Sequence, residues 1–214
     1  MSVNNIRKDN PIRGRLNSWI FNCLDSYMHY KYKKRKGSLF KDLPQSLVEI
    51  GPGTGANLKY FKKGTKLTAI EPNEYMHKNL KKSAVKYAVE IEIKRNIAEN
   101  MDVKSNSVDA VISTLTLCTI VNEAEALKEI KRILRPGGKF FFVEHVGAGK
   151  GSVLRGIQKL VFKPWFWLFE GCHTHKEIGQ TIRDSGFSKV QMESFNLYTP
   201  FIQITAQIAG YALK

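Results

Sequence analysis

Glu49 lies inside a short apolar stretch, Leu47-Val48-Glu49-Ile50, and glycine then returns at every second position as Gly51, Gly53 and Gly55. A carboxylate in a buried strand needs a cationic or hydrogen-bonding partner. Glycines let the backbone turn sharply and approach a ligand with no Cβ in the way. A helix is expected to start near Gly55 and to offer its N-terminal amides to the same ligand. A dinucleotide-binding loop reads G-x-G-x-x-G. Here the third glycine comes one residue early, Pro52 intervenes, and Glu49 would not welcome a pyrophosphate. A ligand carrying an ammonium and a sulfonium would suit Glu49 better.

Glu71 closes Ala69-Ile70-Glu71 ahead of Pro72 and Asn73. It falls close to the roughly 20-residue spacing of an acid that binds ribose. A carboxylate can accept a hydrogen bond from both ribose hydroxyls. Alone, such a glutamate reads as a surface residue at a strand end; after this glycine loop the ribose role is preferred. The loop Ala98-Glu99-Asn100-Met101 either borders the adenine or is an ordinary polar connection. Asn57, Pro72, Asn73 and Thr114 complete the expected cofactor set.

Strand and helix patterns must hold these residues. Strands are expected at 46–50, 66–70, 91–95, 108–113, 139–146, 189–195 and 202–213. Helices are expected from Gly55, from an Asn73 cap toward Val89, from Asn122 through Leu134, and from a Thr174-His175-Lys176-Glu177 capping box to near Gly186. Arg135-Pro136-Gly137-Gly138 should end a helix and turn the chain, and 147–171 reads as looser. Such alternation predicts an α/β fold: a Rossmann-like, seven-stranded, mostly parallel sheet with helices on both faces and the last strand antiparallel. Ligands bind such sheets beyond the carboxyl ends of the strands. The organisation read from the sequence is a basic helical segment over 1–44 and one catalytic domain over 45–214.

The 214 residues carry a formal net charge of +15. The excess favours something anionic: nucleic acid, a membrane surface or an acidic substrate. Much of it sits early, in Arg7, Lys8, Arg13, Arg15 and the Lys31 to Lys36 run. Between these clusters Trp19, Ile20, Phe21, Leu24, Tyr27 and Met28 recur at helical spacing. That segment reads as a helix touching anionic membrane, as one packed over the active site, or as a solvated arm. No appended RNA-binding module is visible, so nucleic acid is not expected. No apolar run reaches the roughly 20 residues of a membrane-spanning helix. Three cysteines, an odd number, suggest neither a disulfide framework nor a metal site. A reducing, cytoplasmic setting and a monomer are expected.

The Glu49 to Gly55 loop, Glu71, the 96–101 loop, Ser107-Val108-Asp109-Ala110-Val111 and Arg135-Pro136-Gly137-Gly138 together resemble the class I S-adenosylmethionine-dependent methyltransferases, in their order. The resemblance implies S-adenosyl-L-methionine as cofactor and S-adenosyl-L-homocysteine as product. Thr114 to Cys118, Glu144-His145-Val146, Phe169-Glu170-Gly171-Cys172 and Gly210-Tyr211-Ala212 extend it to the methyltransferase-like seven group. Those are alkyl thiol S-methyltransferases of endoplasmic reticulum and lipid droplet membranes. Methyl transfer to a small lipophilic thiol is therefore implied. An O- or C-methyltransferase on a quinone, phenol or lipid, an RNA-modifying enzyme and a non-catalytic cofactor-binding protein stay open. The group usually begins with a long apolar anchor, which this sequence does not show, so peripheral rather than anchored contact is the expectation.

Acceptor chemistry is expected at the ends of the fourth and fifth strands. His145 would accept a proton from the acceptor or orient it; alternatively it holds a loop. Leu115, Cys118, Trp165, Phe169 and Cys172 are expected, with His145, to wall the acceptor pocket. Direct transfer needs no covalent enzyme intermediate, so Cys118 reads as wall and not nucleophile. Cys172, His173 and His175 match no strong ligand spacing, and no metal is expected.

Overall fold

Apolar side chains alternate along the strands and sort onto two faces of one sheet. In β1 (Ser46–Ile50), Leu47 joins the core on one side, and Val48 and Ile50 join the other. In β5 (Leu134–His145), Phe141 lies on the first side, and Phe140 and Phe142 on the second. That period of two, apolar in both phases, belongs to strands covered on both faces. The computed structural model describes residues 11–214, so Arg7 and Lys8 of the basic segment lie outside the described residues.

The remaining strands are β2 (Lys66–Ile70), β3 (Glu90–Lys94), β4 (Val108–Thr114), β6 (Lys189–Asn196) and β7 (Ala206–Leu213). Their order is β3-β2-β1-β4-β5-β7-β6. The first five pair in parallel, and β7 runs antiparallel to both β5 and β6. The expected sheet, with its antiparallel last strand, is the one that forms. Chain order reverses at β1 and β4, which opens a crevice at their carboxyl ends.

Helix α2 (Glu74–Tyr87) covers the first face with Leu80 and Ala84. Helices α3 (Glu123–Ile133) and α6 (Ile178–Asp184) cover the second with Leu127, Ile130, Ile178 and Ile182. The Asn73 side chain caps α2 by accepting from Tyr75 N–H, and Asn122 caps α3 by accepting from Glu125 N–H. Helix α1 (Pro11–Leu39) reaches the sheet through Tyr32, which packs on Val143 and Ala209. Helices α4 (Val153–Leu160) and α5 (Phe162–Leu168) follow β5.

Several local expectations are corrected. No α-helix follows Gly55; the chain makes one 3-10 turn, Leu58–Tyr60. Gly51, Gly53 and Gly55 all take positive φ, which a helix cannot accommodate. Arg135-Pro136-Gly137-Gly138 is an irregularity inside β5, where the register to β4 shifts between Val108 and Ala110. The stretch expected to be loose holds α4 and α5, with Ser152 capping α4. Thr174 caps nothing: its buried hydroxyl donates to Gln158 C=O at 2.7 Å, and α6 begins only at Ile178. Strand β3 starts at Glu90, and β7 starts at Ala206 after a 3-10 turn, Ile202–Ile204. Among the described residues no helix is long and apolar enough to cross a membrane.

Candidate active site

At the carboxyl ends of β1 and β2 the glycine loop and Glu71 meet directly. Gly53 N–H donates to Glu71 Oε2 at 2.9 Å, and Asn73 N–H donates to its Oε1 at 2.9 Å. Each oxygen keeps acceptor capacity for a ribose hydroxyl. Burial, with Glu170 nearby, pushes the Glu71 carboxyl up to about 8, against the two amide donors. Gly51 has φ +61°, and a Cβ there would stand 2.5 Å from the Thr116 side chain. Gly55 backs onto α2, where a Cβ would stand 2.8 Å from Ser83. Gly53 has open space at the same position.

Glu49 projects on the face of α1. Asn57 Nδ2 donates to Glu49 Oε1 at 2.6 Å and lies 3.0 Å from Thr114 Oγ1. Lys36 Nζ, from α1, donates to Asn57 Oδ1 at 2.7 Å. The result is a buried carboxylate–amide–ammonium chain. Burial pushes Glu49 up to about 7, opposed by Asn57 and Lys36, and brings Lys36 down to about 8, opposed by Glu49. Glu49 Oε2 is buried with no hydrogen-bond partner. An orphaned acceptor of this kind costs free energy unless a ligand donor meets it. A ligand ammonium would do so, and the open Gly53, the Glu71 oxygens and this acceptor together fit an adenosyl-methionine cation.

These groups border a cavity of about 420 Å³, within the range of small-molecule sites. Every expected cofactor residue borders it except Gly55, which packs against α2, and Asn100, which is exposed. Glu99 reaches the wall, and its carboxylate accepts from Val121 and Asn122 N–H. That bond secures the adenine-side loop to the start of α3. The amides of a following helix contribute nothing, since that helix is absent.

All six expected acceptor residues border the same cavity. Trp165 and Phe169 stack with centroids 3.9 Å apart, and Phe21 of α1 meets Phe169 at 6.2 Å. His145 Nε2 lies 3.0 Å from Cys172 Sγ, Trp165 Nε1 donates to the same sulfur at 3.1 Å, and Cys118 Sγ lies 3.3 Å from it. Burial disfavours a Cys172 thiolate, but Cys118 and His145 outweigh it and hold the thiol well below the usual range. His145 is thus a partner of Cys172, buried with it, and not a group free in the pocket. Metal-ligand spacing is absent along the sequence at Cys172, His173 and His175, but in space Cys118, His145 and Cys172 bring their donor atoms within 4.8 Å of one another. Asp109, of the Ser107 to Val111 motif, pairs with Arg135 at 2.7 Å on the surface.

Tyr32, Lys36 and Thr116 also border the cavity and add to the expected set. Tyr32 donates to Gln207 Oε1 at 3.1 Å from a buried position on the cavity wall. Lys36 ends a basic run that reads as a solvated face, and only its burial beside Asn57 separates it from Lys33 and Lys34. Thr116 could have been suspected, since Gly51 needs a close neighbour to explain it.

Residues 48–142 match the family described as "Methyltransferase domain". The chain is similar to thiol S-methyltransferase TMT1A of Homo sapiens, with 34% identity over 84% of this chain and 78% of that protein. It is also similar to thiol S-methyltransferase TMT1B of Mus musculus, with 35% identity over 88% of this chain and 81% of that protein. Among solved structures, an S-adenosylmethionine-dependent methyltransferase from Thermotoga maritima superposes with a TM-score of 0.64 at 20% identity, covering 94% of this chain and 99% of that one. A gripped ribose acid, a buried carboxylate oxygen without a partner behind a glycine loop and these relatives agree: the chain belongs to the class I S-adenosylmethionine-dependent methyltransferases, in the family of thiol S-methyltransferases TMT1A and TMT1B.

Proposed function

We propose that this enzyme transfers the methyl group of S-adenosylmethionine to the sulfur of small lipophilic thiols. The observation that carries the reading is a single cavity joining the Gly53–Glu71 grip to an aromatic pocket floored by Cys118, His145 and Cys172. The relatives named as thiol S-methyltransferases support it. The sulfonium supplies an already activated methyl group, so the chain's work is alignment and dehydration. Glu71 and the glycine loop would fix the adenosyl end, Glu49 the ammonium. Phe21, Trp165 and Phe169 would hold an apolar acceptor and exclude water.

The test is incubation with labelled S-adenosylmethionine and a panel of alkyl thiols, phenols and lipids. Label should enter the thiols; transfer to phenols or quinones with thiols untouched would replace this acceptor. Calorimetric titration of Glu71→Ala tests the cofactor end. Loss of a charge-assisted hydrogen-bond pair should weaken S-adenosylmethionine by roughly 1.5–3 kcal/mol. Unchanged affinity would remove Glu71 from that role.

We also propose peripheral attachment to anionic membrane, from which a lipophilic acceptor would reach the cavity. The net charge of +15 supports this, as do Leu160 and Trp167, exposed on α4 and α5 beside exposed Lys159 and Lys163.

A further inference from the structure

Three elements far apart in sequence deliver two sulfurs and one imidazole to one point. Cys118 sits in the 3-10 turn Leu117–Thr119 after β4, His145 ends β5, and Cys172 follows α5. We propose that Cys118, His145 and Cys172 bind one zinc ion, and that its fourth position opens to the cavity and takes the acceptor thiol. This role rests on the thiol reading above; the metal site itself rests on the geometry alone.

The donor set is the first argument. Two thiolates and one imidazole suit zinc, and three protein ligands with one open position is the catalytic zinc pattern. The second argument is spacing. Cys172 Sγ lies 3.0 Å from His145 Nε2 and 3.3 Å from Cys118 Sγ. In a tetrahedral site with Zn–S bonds of about 2.3 Å and Zn–N bonds of about 2.0–2.1 Å, the corresponding edges are about 3.5–3.8 Å. Outward shifts of a few tenths of an ångström reach them. The third argument is the surroundings. Trp165 Nε1–H donates to Cys172 Sγ at 3.1 Å, as outer-shell donors do to ligating thiolates. All three ligands are buried, yet all border the cavity, so a fourth ligand can come only from there among the described residues.

Charge balance favours the same chemistry. Two cysteinates cancel the zinc charge, and an added substrate thiolate leaves one net negative charge opposite one sulfonium. The thiol S–H proton is released to solvent as the sulfur binds zinc. A bond then forms from that sulfur to the methyl carbon. The bond from methyl carbon to sulfonium sulfur breaks, and its electron pair stays on that sulfur, giving S-adenosylhomocysteine. The neutral thioether product is a poor zinc ligand and leaves.

The full chain, reduced and stripped with a chelator, is titrated with cobalt(II) and then with zinc. One cobalt per chain should bind, with thiolate-to-cobalt charge-transfer bands and tetrahedral visible bands that zinc abolishes. Cys118→Ser and Cys172→Ser should lose these bands at least roughly 100-fold in affinity, and Trp165→Phe should lose about 10–100-fold. Cys23→Ser, exposed and outside the cavity, should bind cobalt as wild type does. An alkyl thiol should shift the bands, and zinc should restore thiol methylation to stripped protein whose S-adenosylmethionine affinity, read by calorimetry, has not changed. Absent cobalt bands or a stable Cys118–Cys172 disulfide in the reduced preparation would overturn the zinc site, and full thiol methylation by stripped protein would overturn its role in holding the acceptor. Normal cobalt bands that no thiol shifts, with no thiol methylated, would leave the metal site standing and overturn the thiol acceptor.

Discussion

Gly51 and Glu49 show how single residues set the cofactor end. Gly51 combines φ +61° with a Cβ position 2.5 Å from Thr116. In Gly51→Ala the left-handed backbone alone costs roughly 1–2 kcal/mol. Overlap with Thr116 adds to this and should displace the loop that donates to Glu71. S-adenosylmethionine affinity should fall at least tenfold, about 1.4 kcal/mol, and Thr116→Gly should recover part of it in a double-mutant cycle. Additive losses would mean that the two residues do not compete for that space. Glu49 makes a prediction in pH. Its ordinary value is 4.5, and burial raises it to about 7. The folded chain therefore keeps the proton that the unfolded chain releases, so stability falls as pH rises from about 4.5 to about 7. The contribution is on the order of 3 kcal/mol. Glu71 and Glu144, also raised by burial, act in the same direction. Denaturant unfolding of ligand-free Glu49→Gln across that window should show a flatter decline than wild type; parallel curves would reject the role of Glu49.

At the scale of elements, α1 closes one side of the cavity. Phe21 meets Phe169, Tyr32 fills space against Val143, and Lys36 closes the chain to Glu49. Phe21→Ala should raise KM for lipophilic thiols about 5–30-fold, on partial loss of an aromatic contact surface, and leave S-adenosylmethionine affinity unchanged. An equal loss at both ends would show that α1 braces the whole site instead of selecting the acceptor. The same helix marks where the sequence stops being legible. Glu49, the glycines and Glu71 announce themselves because each stands within a few residues of a strand end, where type and spacing carry the chemistry. Lys36 does not, because a lysine among lysines signals nothing until a helix docks. Cys118, His145 and Cys172 read from the sequence only as pocket wall, and nothing in their spacing marks them as one cluster of donor atoms. They meet only because β4 pairs with β5 through Thr114 and Val143, and because α5 returns the chain over the end of that pair. The helix expected after Gly55 fails for the reverse cause: Ala56, Leu58 and Phe61 offer an apolar pattern, but three glycines of positive φ use the backbone otherwise.

At the scale of the whole molecule, the proposed membrane attachment would set the direction from which an acceptor comes. A net charge of +15 favours contact with anionic surfaces, and the proposed membrane attachment rests on it. Not all of the basic excess is free for this, since Lys36 is spent inside the site. Lys33 and Lys34 on α1 and Lys159 and Lys163 around α4 and α5 are exposed. The second pair stands with Leu160 and Trp167, 82% and 56% exposed, on the helices that carry the pocket residue Trp165. Apolar side chains that enter an interface beside lysines that meet its charge give two weak forces a common direction. Each lysine near an anionic surface contributes about 1 kcal/mol, so Lys159→Ala with Lys163→Ala should weaken vesicle binding by about 2 kcal/mol, roughly 30-fold. Co-sedimentation with phosphatidylserine-containing vesicles measures it, with uncharged vesicles as the reference. Wild-type protein should bind the anionic vesicles and leave them as salt screens the charges. Binding that ignores vesicle charge, or a double variant that binds as wild type does, would detach the α4–α5 surface from this role.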